Sequence, residues 1–381
     1  YTASFDELEP LLKQALAQEV NPETTELGVV AYGIAQAAEM LSQKYTLVST
    51  NPPFLSRGKQ SQALKDYCDS HYSRAKQGLD TVFFERGIEL AGSKSTVAFV
   101  SKQNWYYLRS YQNYRKIILT SKRLNLIVEL GPNPFVTPMY DFNVALTLLT
   151  NRKGSEGDGM VGIDAFNGSN PSEVKSLIRT GEVIEVFQHA QLKNPGHRFT
   201  LSDLDRHALL EEYAVAPQGI KTGDDPRFRR YFWEMLEEGD HWRYYQSTPS
   251  DGETFGGHNY KIDWSQGGQN LARRQGTEAW GKKGICIQQM GDLTASLYLG
   301  DIHDSNVAPI IPKDRELLPA IWAYCVSDQY LNQVRRIDKS LKPTNTSLLK
   351  VPFDLDYWQK VADEKYPDGL PAPYSDDPTQ W

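Results

Sequence analysis

Apolar positions in the first half of the chain follow two periods that alternate along the sequence. Between Glu26 and Gln43, the residues Leu27, Val30, Ile34, Ala37, Ala38 and Leu41 share one helical face, with Thr25 as a candidate N-cap. The preceding segment, Ser4 to Glu19, also predicts a helix; Ser4 and Glu7 have capping-box spacing, and Pro10 leaves its start open. Tyr45 to Ser49 is rich in apolar and β-branched residues and predicts a short buried strand, which Pro52 and Pro53 must end because neither donates to a ladder. Leu79 to Leu90 predicts a helix, Gly92 a break, and Thr96 to Val100 a strand that leads into Ser101-Lys102-Gln103-Asn104-Trp105. A helix with Tyr111, Tyr114, Ile117 and Ile118 inward follows, then a strand from Leu124 to Leu130, the turn Gly131-Pro132-Asn133-Pro134-Phe135, and a strand from Val144 to Leu149. After a loop rich in Gly, Ser and Asp, a helix from Pro171 to Arg179 and a strand from Val183 to Gln188 close the pattern. Strands and helices alternating at this spacing predict an α/β doubly wound sheet, a class that binds ligands beyond the carboxyl ends of its strands. Asn51 is expected at such an end. Gly157-Asp158-Gly159 lacks a third glycine opening a helix and predicts a flexible turn.

The second half has a different character, and a boundary near Arg198 to Asp205 divides the chain into domains 1–200 and 201–381. Gly219 to Glu234 combines a glycine-flanked turn, Lys221-Thr222, the cations Arg227, Arg229 and Arg230, and a run of aromatics. The P-loop spacing is absent, since Ile220 precedes Lys221 and Gly223 follows Thr222. Two readings remain: a loop offering N–H groups and guanidinium heads to a phosphate backbone, or a structural hairpin whose arginines pair with Asp224, Asp225 and Glu234. Arg273-Arg274 and Lys282-Lys283, separated by Trp280, make a second basic, aromatic stretch. Nearer the start, Arg57 and Lys59 lie in a polar loop directly behind Phe54, where phosphates could be met. Pro319 to Tyr330 predicts an apolar helix, Asp354 to Val361 another, and from Pro367 the chain is rich in Pro, Asp and Gly.

Composition narrows the classes. A hydrophobic share of 40% with 23% charged residues over 381 positions is globular and long enough for two cores. The net charge of −7 argues against a nonspecific nucleic-acid coat but leaves room for a local basic groove. Cys68, Cys286 and Cys325 lie far apart, match no metal or redox spacing, and predict buried thiols in a reducing, cytoplasmic compartment. No apolar run approaches the ~20 residues that span a bilayer, so no membrane partner is expected. No H-E-x-x-H, G-x-S-x-G or PD-(D/E)xK pattern is present, and no metal site is expected. The chain begins at Tyr1 without Met or a signal-like segment, which leads to the expectation of a piece of a longer protein.

The most informative stretch is Asn51-Pro52-Pro53-Phe54. Asn-Pro alone is an ordinary turn dipeptide. The full tetrad behind an apolar strand resembles the Asn/Asp-Pro-Pro-aromatic signature of amino-methylating DNA methyltransferases. Asp80 to Leu90 fits the pattern D-x-x-F-x-E-R-x-x-x-L and Ser101 to Trp105 fits S-x-x-N/S-W. Together they are similar to the later motifs of gamma-order adenine methyltransferases, above all the phage-defence (BREX-type) enzymes and the related single-chain restriction-methylation enzymes. Gly219 to Phe228 resembles the G-x-x-T-G-D/N-x-x-R-F segment that opens their target-recognition domain, and Trp242 to Trp264 the aromatic-glycine stretch that follows it.

This resemblance implies an incomplete Rossmann-like methyltransferase domain followed by an α+β target-recognition domain. It also implies S-adenosylmethionine as donor in the intact protein, double-stranded DNA as partner, and restriction or defence-system subunits as further partners. The Asn51 side chain and the Pro52 carbonyl would accept the two hydrogens of an adenine amino group and make its nitrogen nucleophilic, with Pro53 stiffening the turn. Phe54 would stack on the flipped base. Lys221, Thr222, Arg227, Arg229, Arg230, Arg273 and Arg274, with Arg57 and Lys59, are the expected DNA contacts. In the gamma order the glycine-rich donor turn lies upstream of the tetrad, and residues 1–50 contain none. The donor half is therefore expected before Tyr1, and the chain by itself is expected to be inactive. Cytosine amino methylation would use the same chemistry. A noncatalytic DNA-binding specificity module and a purely structural scaffold are the competing readings.

Overall fold

The computed structural model describes residues 10–11, 14, 22–137, 139, 142–155, 157–201, 207–235, 239–373 and 375–377. The helix expected from Ser4 to Glu19 lies largely outside them. The chain divides into two compact units: Tyr1–Trp105 with Asn113–Pro138 and Val144–Leu192, and Tyr106–Gln112 with Met139–Asn143 and Lys193–Trp381.

The first unit opens with helix α1 (Pro22–Ser42), which contains Thr25 rather than starting behind it, and strand β1 (Tyr45–Thr50). Then come α2 (Gln62–His71), α3 (Leu79–Leu90), β2 (Ala91–Lys102), α4 (Gln112–Ser121), β3 (Arg123–Gly131), β4 (Val144–Thr150), β5 (Gly159–Asp164), α5 (Pro171–Thr180) and β6 (Val183–Phe187). The six strands form one sheet in the order β1-β2-β4-β3-β5-β6. Strands β1 and β2 run parallel, as do β3 and β5, whereas β4 lies antiparallel between β2 and β3 and β6 is antiparallel to β5. The sheet is thus mixed rather than wholly parallel. β2 shows the period-2 burial of a central strand, with Ser95, Val97, Phe99 and Ser101 all inward. Gly131 ends β3 at φ 69°, and a Cβ there would meet the Phe166 carbonyl oxygen at 2.4 Å, so only glycine fits the turn that the sequence placed here.

Two expectations for the first elements are corrected. β1 is an edge strand that pairs only with β2 in this sheet, and Leu47 is 60% exposed, so it is not the buried strand its composition predicted. α1 likewise leaves Val30, Ile34 and Leu41 more than half exposed where they were expected to cover a sheet. Both have the residues of buried elements, yet much of their apolar surface stays exposed among the described residues, although α3 packs against β1 with Gly87 beside Val48.

The second unit holds two four-stranded sheets. The strands in chain order are β7 (Ala214–Val215), β8 (Arg229–Tyr231), β9 (Trp242–Gln246), β10 (Tyr260–Asp263), β11 (Gly284–Gln288), β12 (Ala295–Tyr298), β13 (Ile302–His303) and β14 (Val307–Pro312). One sheet runs β13-β9-β10-β8 and covers a small core of Ile220, Phe228, Tyr245, Ile262, Leu271 and Ile302. The other runs β12-β11-β14-β7 and packs against α6 (Leu318–Cys325), α7 (Asp328–Ile337), α8 (Asn345–Leu349) and α9 (Leu355–Lys365). Helix α6 is buried from Ala320 to Cys325, as its unbroken apolar run requires. Tyr324 lies at its centre among Tyr330, Phe353 and Trp358, and its hydroxyl satisfies itself on the Pro352 carbonyl at 2.8 Å. All three cysteines are buried as free thiols. Among the described residues no helix is long and apolar enough to cross a membrane.

Candidate active site and nucleic-acid interface

Asn51 follows the last residue of β1, as its two prolines require. Its side chain is exposed, Pro52 is buried beneath it, Pro53 is exposed, and Phe54 and Leu55 are half-buried. The loop behind the tetrad is fixed by main-chain bonds to the segment that leads into α3. The Leu55 carbonyl accepts from Leu79 N at 2.9 Å, Arg57 N donates to the Gln77 carbonyl at 3.1 Å, and Ser56 bridges to Gly78. β2 ends beside it, since Thr50 is registered against Phe99.

A buried ion pair joins the end of β2 to the start of α3. Lys102, the last residue of β2, approaches Asp80 in the first turn of α3 with Nζ 3.5 Å from Oδ1, and the side chains are 6% and 1% exposed. The Lys102 main-chain N–H donates to Asp80 Oδ2 at 3.0 Å, and its ammonium also donates to Ser56 Oγ at 3.1 Å. Burial pushes the Asp80 carboxyl above its ordinary range, opposed by the Lys102 charge. Under this rim lies an aromatic cluster: Phe84 stacks on Phe99, and Trp105 approaches both within 6.0 Å. Trp105 is fully buried, with its indole N–H on Ser101 Oγ at 3.0 Å, so packing rather than nucleic-acid contact is its role.

The expected DNA contacts fall into three groups. Lys59, Lys221, Arg227, Arg230, Arg273 and Arg274 are exposed. Arg57 is held by Asp69 at 2.6 Å, and Lys76 shares that carboxylate at 2.9 Å; hydrogen bonds from Lys76 and Arg57 hold its pKa below the usual range. Thr222 and Arg229 are engaged inside the fold. The Thr222 side chain is buried with its hydroxyl on Asp225, and Arg229 pairs with Asp225 at 3.4 Å and Asp304 at 3.8 Å while lying over the Tyr260 ring. For Arg229, the pairing with Asp225 that the hairpin reading offered is present in the structure. Arg230 folds back onto the Pro226 and Arg229 carbonyls, and Arg274 onto the Gly267 carbonyl.

Two of the exposed cations are brought together. Lys221 and Arg273 exchange both main-chain hydrogen bonds at 2.9 Å, as an antiparallel bridge does. A third cation, Lys342, is close enough to Lys221 to feel its charge. Its ammonium donates to the Ser305 carbonyl and Asn306 Oδ1, and its pKa is lowered by partial burial and, against the pull of Asp304, by the nearby Lys221 charge. Crowding of like charges on a surface favours an anionic partner. Sequence reasoning missed Lys342, since neither a basic run nor a motif marks it. Among the described residues no cluster of three or more His, Cys, Asp or Glu side chains is arranged to hold a metal. The described residues of the first unit also contain no glycine-rich strand-to-helix turn to hold a nucleoside donor.

Comparisons with related sequences and with solved structures bear on this chain. The adenine-specific methyltransferase PglX of Lacticaseibacillus casei (strain Zhang) is 28% identical over 102 residues, which is 27% of this chain and 8% of that protein. The adenine-specific methyltransferase BrxX of Escherichia coli O9:H4 (strain HS) is 26% identical over 128 residues, covering 34% of this chain and 10% of its own length. The matched stretch thus spans about a tenth or less of either relative. Among solved structures, the type IIL restriction-modification enzyme MmeI in complex with DNA aligns with a TM-score of 0.57 over 86% of this chain and 50% of its own, at 12% identity. The ATP-dependent type ISP restriction-modification enzyme LlaBIII bound to DNA aligns at 0.55 over 91% of this chain and 31% of its own, at 9% identity. At such identities the likeness is one of fold, and it extends across both units. Residues 3–135, the segment that carries the tetrad and the buried ion pair behind it, match the Eco57I restriction-modification methylase family, and the chain resembles adenine-specific methyltransferases of the BREX type.

Proposed function

We propose that this chain is the distal part of a site-specific DNA adenine-N6 methyltransferase of a cytoplasmic restriction-modification or phage-defence system. The observation that carries the reading is an exposed Asn51 on a buried Pro52 at the carboxyl end of a strand, inside the segment that matches the methylase family. An adenine amino nitrogen has its lone pair delocalised into the ring and is a poor nucleophile. Asn51 Oδ1 and the Pro52 carbonyl, held by the rigid Pro-Pro turn, accept its two hydrogens and draw it towards a tetrahedral form. Since no such site can be reached from inside a duplex, the base is flipped out, and Phe54 offers a face to stack on. S-adenosylmethionine supplies the methyl group, and its binding residues belong to another segment of the intact protein. That view is supported by the edge of β1, which among the described residues pairs only with β2, and by the exposed apolar residues of α1, surfaces that further elements of the same domain would cover.

The first unit serves as the catalytic domain and the second as the DNA-recognition domain. The cations of the second unit follow the phosphate backbone. Lys342→Ala in the full-length protein is expected to make the dependence of log Kobs on log salt shallower by about 0.9, one phosphate contact. An unchanged slope would remove Lys342 from the interface. The reading as a whole is tested by incubating the full-length protein with methyl-labelled S-adenosylmethionine and duplex DNA, then digesting the DNA to nucleosides. Label in N6-methyl-2′-deoxyadenosine is the expected result. Salt-sensitive duplex binding without any methylated nucleoside would leave the noncatalytic specificity module in its place.

A further inference from the structure

We infer that Lys102, itself held by Asp80, is a positioning residue for the Asn51 to Phe54 tetrad and acts through Ser56; the inference rests on the methyltransferase reading above. A lysine and an aspartate buried to 6% and 1% exposure are costly to desolvate, and replacing such a pair with apolar side chains of similar volume is commonly neutral or stabilising. Stability alone therefore does not account for the pair. Its geometry does account for something else. Asp80 holds Lys102 at both ends, by a hydrogen bond from its main-chain N–H and by an ion pair with its ammonium. The ammonium then donates to Ser56, two residues after Phe54.

On either side of Ser56, the Leu55 carbonyl and the Arg57 N–H bond to Leu79 and Gln77, the run that delivers Asp80 into α3. The loop is thus gripped by its main chain on both flanks and by one side-chain bond at its midpoint. That midpoint bond ties it to the end of β2. Without it the β1–β2 ladder still holds Asn51 from its upstream side, but the downstream side, from Phe54 to Ser56, loses this bond to the end of β2. A rigid turn set about an ångström off presents its two acceptors to the wrong place, and a misplacement of that size can cost on the order of 10²-fold in rate.

The test uses the full-length protein. Ser56→Ala removes a hydroxyl at an exposed position and leaves the Lys102 ammonium paired with Asp80, and is expected to lower kcat about three- to tenfold. Lys102→Met keeps the stem and removes the ammonium, with an expected loss in kcat of about 10²-fold. Lys102→Arg should recover kcat at least about tenfold relative to Lys102→Met, because it restores a donor to Ser56. In all three, KM for donor and Kd for duplex should stay within about twofold, and kcat should not track the urea midpoint. A purely structural ion pair predicts the opposite: kcat falling only as the midpoint falls. If Lys102→Met fails to fold, Ser56→Ala still decides, and wild-type kcat in that variant overturns the inference. Asn51→Ala separates the two layers. If it silences the enzyme while Ser56→Ala and Lys102→Met leave kcat unchanged, only the positioning role falls. If wild-type protein transfers no methyl group, the methyltransferase reading falls and amide exchange decides the rest: faster exchange confined to residues 51–60 in Lys102→Met supports the grip on the loop, and unchanged exchange there overturns it.

Discussion

Asn51→Ala in the full-length protein should lower kcat for adenine methylation by about 10²–10³-fold, while Kd for the duplex stays near the wild-type value. The magnitude follows from what one preorganised hydrogen-bonding partner is worth at a reacting centre when it acts mainly in the transition state. The amino nitrogen must become tetrahedral as the methyl group arrives, and only the Asn51 carbonyl and the Pro52 carbonyl are proposed to hold its hydrogens in that form. Alanine leaves one of the two. The fold should not notice the change, because Asn51 is exposed and lies outside the β1 ladder, where substitutions ordinarily fall within about 0.5 kcal/mol. Asn51→Asp is the informative companion. A carboxylate keeps an acceptor oxygen in nearly the same place, so its rate should exceed that of the alanine variant by at least about tenfold. Full activity in Asn51→Ala, with an unchanged urea midpoint, would take the tetrad out of the mechanism and leave the exposed asparagine as an ordinary strand terminus.

The legibility of this tetrad and the obscurity of the groups behind it have the same cause. Asn51 to Phe54 is contiguous, and a strand run ended by two prolines fixes its place with no help from the rest of the molecule. The helix over Leu79 to Leu90 and the strands around Val97, Leu126 and Leu146 are legible for a related reason, since periodicity is written locally. Strand direction is not written there, and so β4, antiparallel between β2 and β3, could not be told from a parallel strand of the same composition. Nor does composition say whether a strand has neighbours on both sides: β1 carries Leu47 and Val48 like a central strand and lies at an edge. The grip of Lys102 on Ser56 joins positions far apart in sequence, and no local pattern marks either. Arg229 shows the reverse case. Its partner Asp225 is only one helical turn away, so the pairing was visible in the sequence as one of two readings, and the structure contains it. Lys342 and Lys221 meet only through folding of the second unit.

The second large effect is on stability and concerns the floor of the site. Trp105→Ala should destabilise the first unit by about 3–5 kcal/mol, a sizeable part of the roughly 5–15 kcal/mol that holds an ordinary domain together. The indole is fully buried, with Phe84 at 5.8 Å, Phe99 at 6.0 Å and Tyr114 edge-on at 5.8 Å, so truncation removes its contacts and leaves a cavity that aromatic rings cannot easily close. It also leaves the Ser101 hydroxyl without its indole donor. The main-chain carbonyl of Trp105, which accepts from the buried Arg115 at 2.8 Å, is untouched by the substitution, so the loss reports packing and not that bond. Urea denaturation followed by circular dichroism should show a lower midpoint at an unchanged m-value. Trp105→Phe should fall between, because it refills much of the cavity but donates nothing to Ser101. A wild-type midpoint in Trp105→Ala combined with weakened duplex binding would instead make Trp105 a surface contact. A lowered midpoint carries a further consequence for the reaction: Trp105 anchors the chain three residues beyond Lys102, and loosening that anchor frees the end of β2 against which the tetrad is registered.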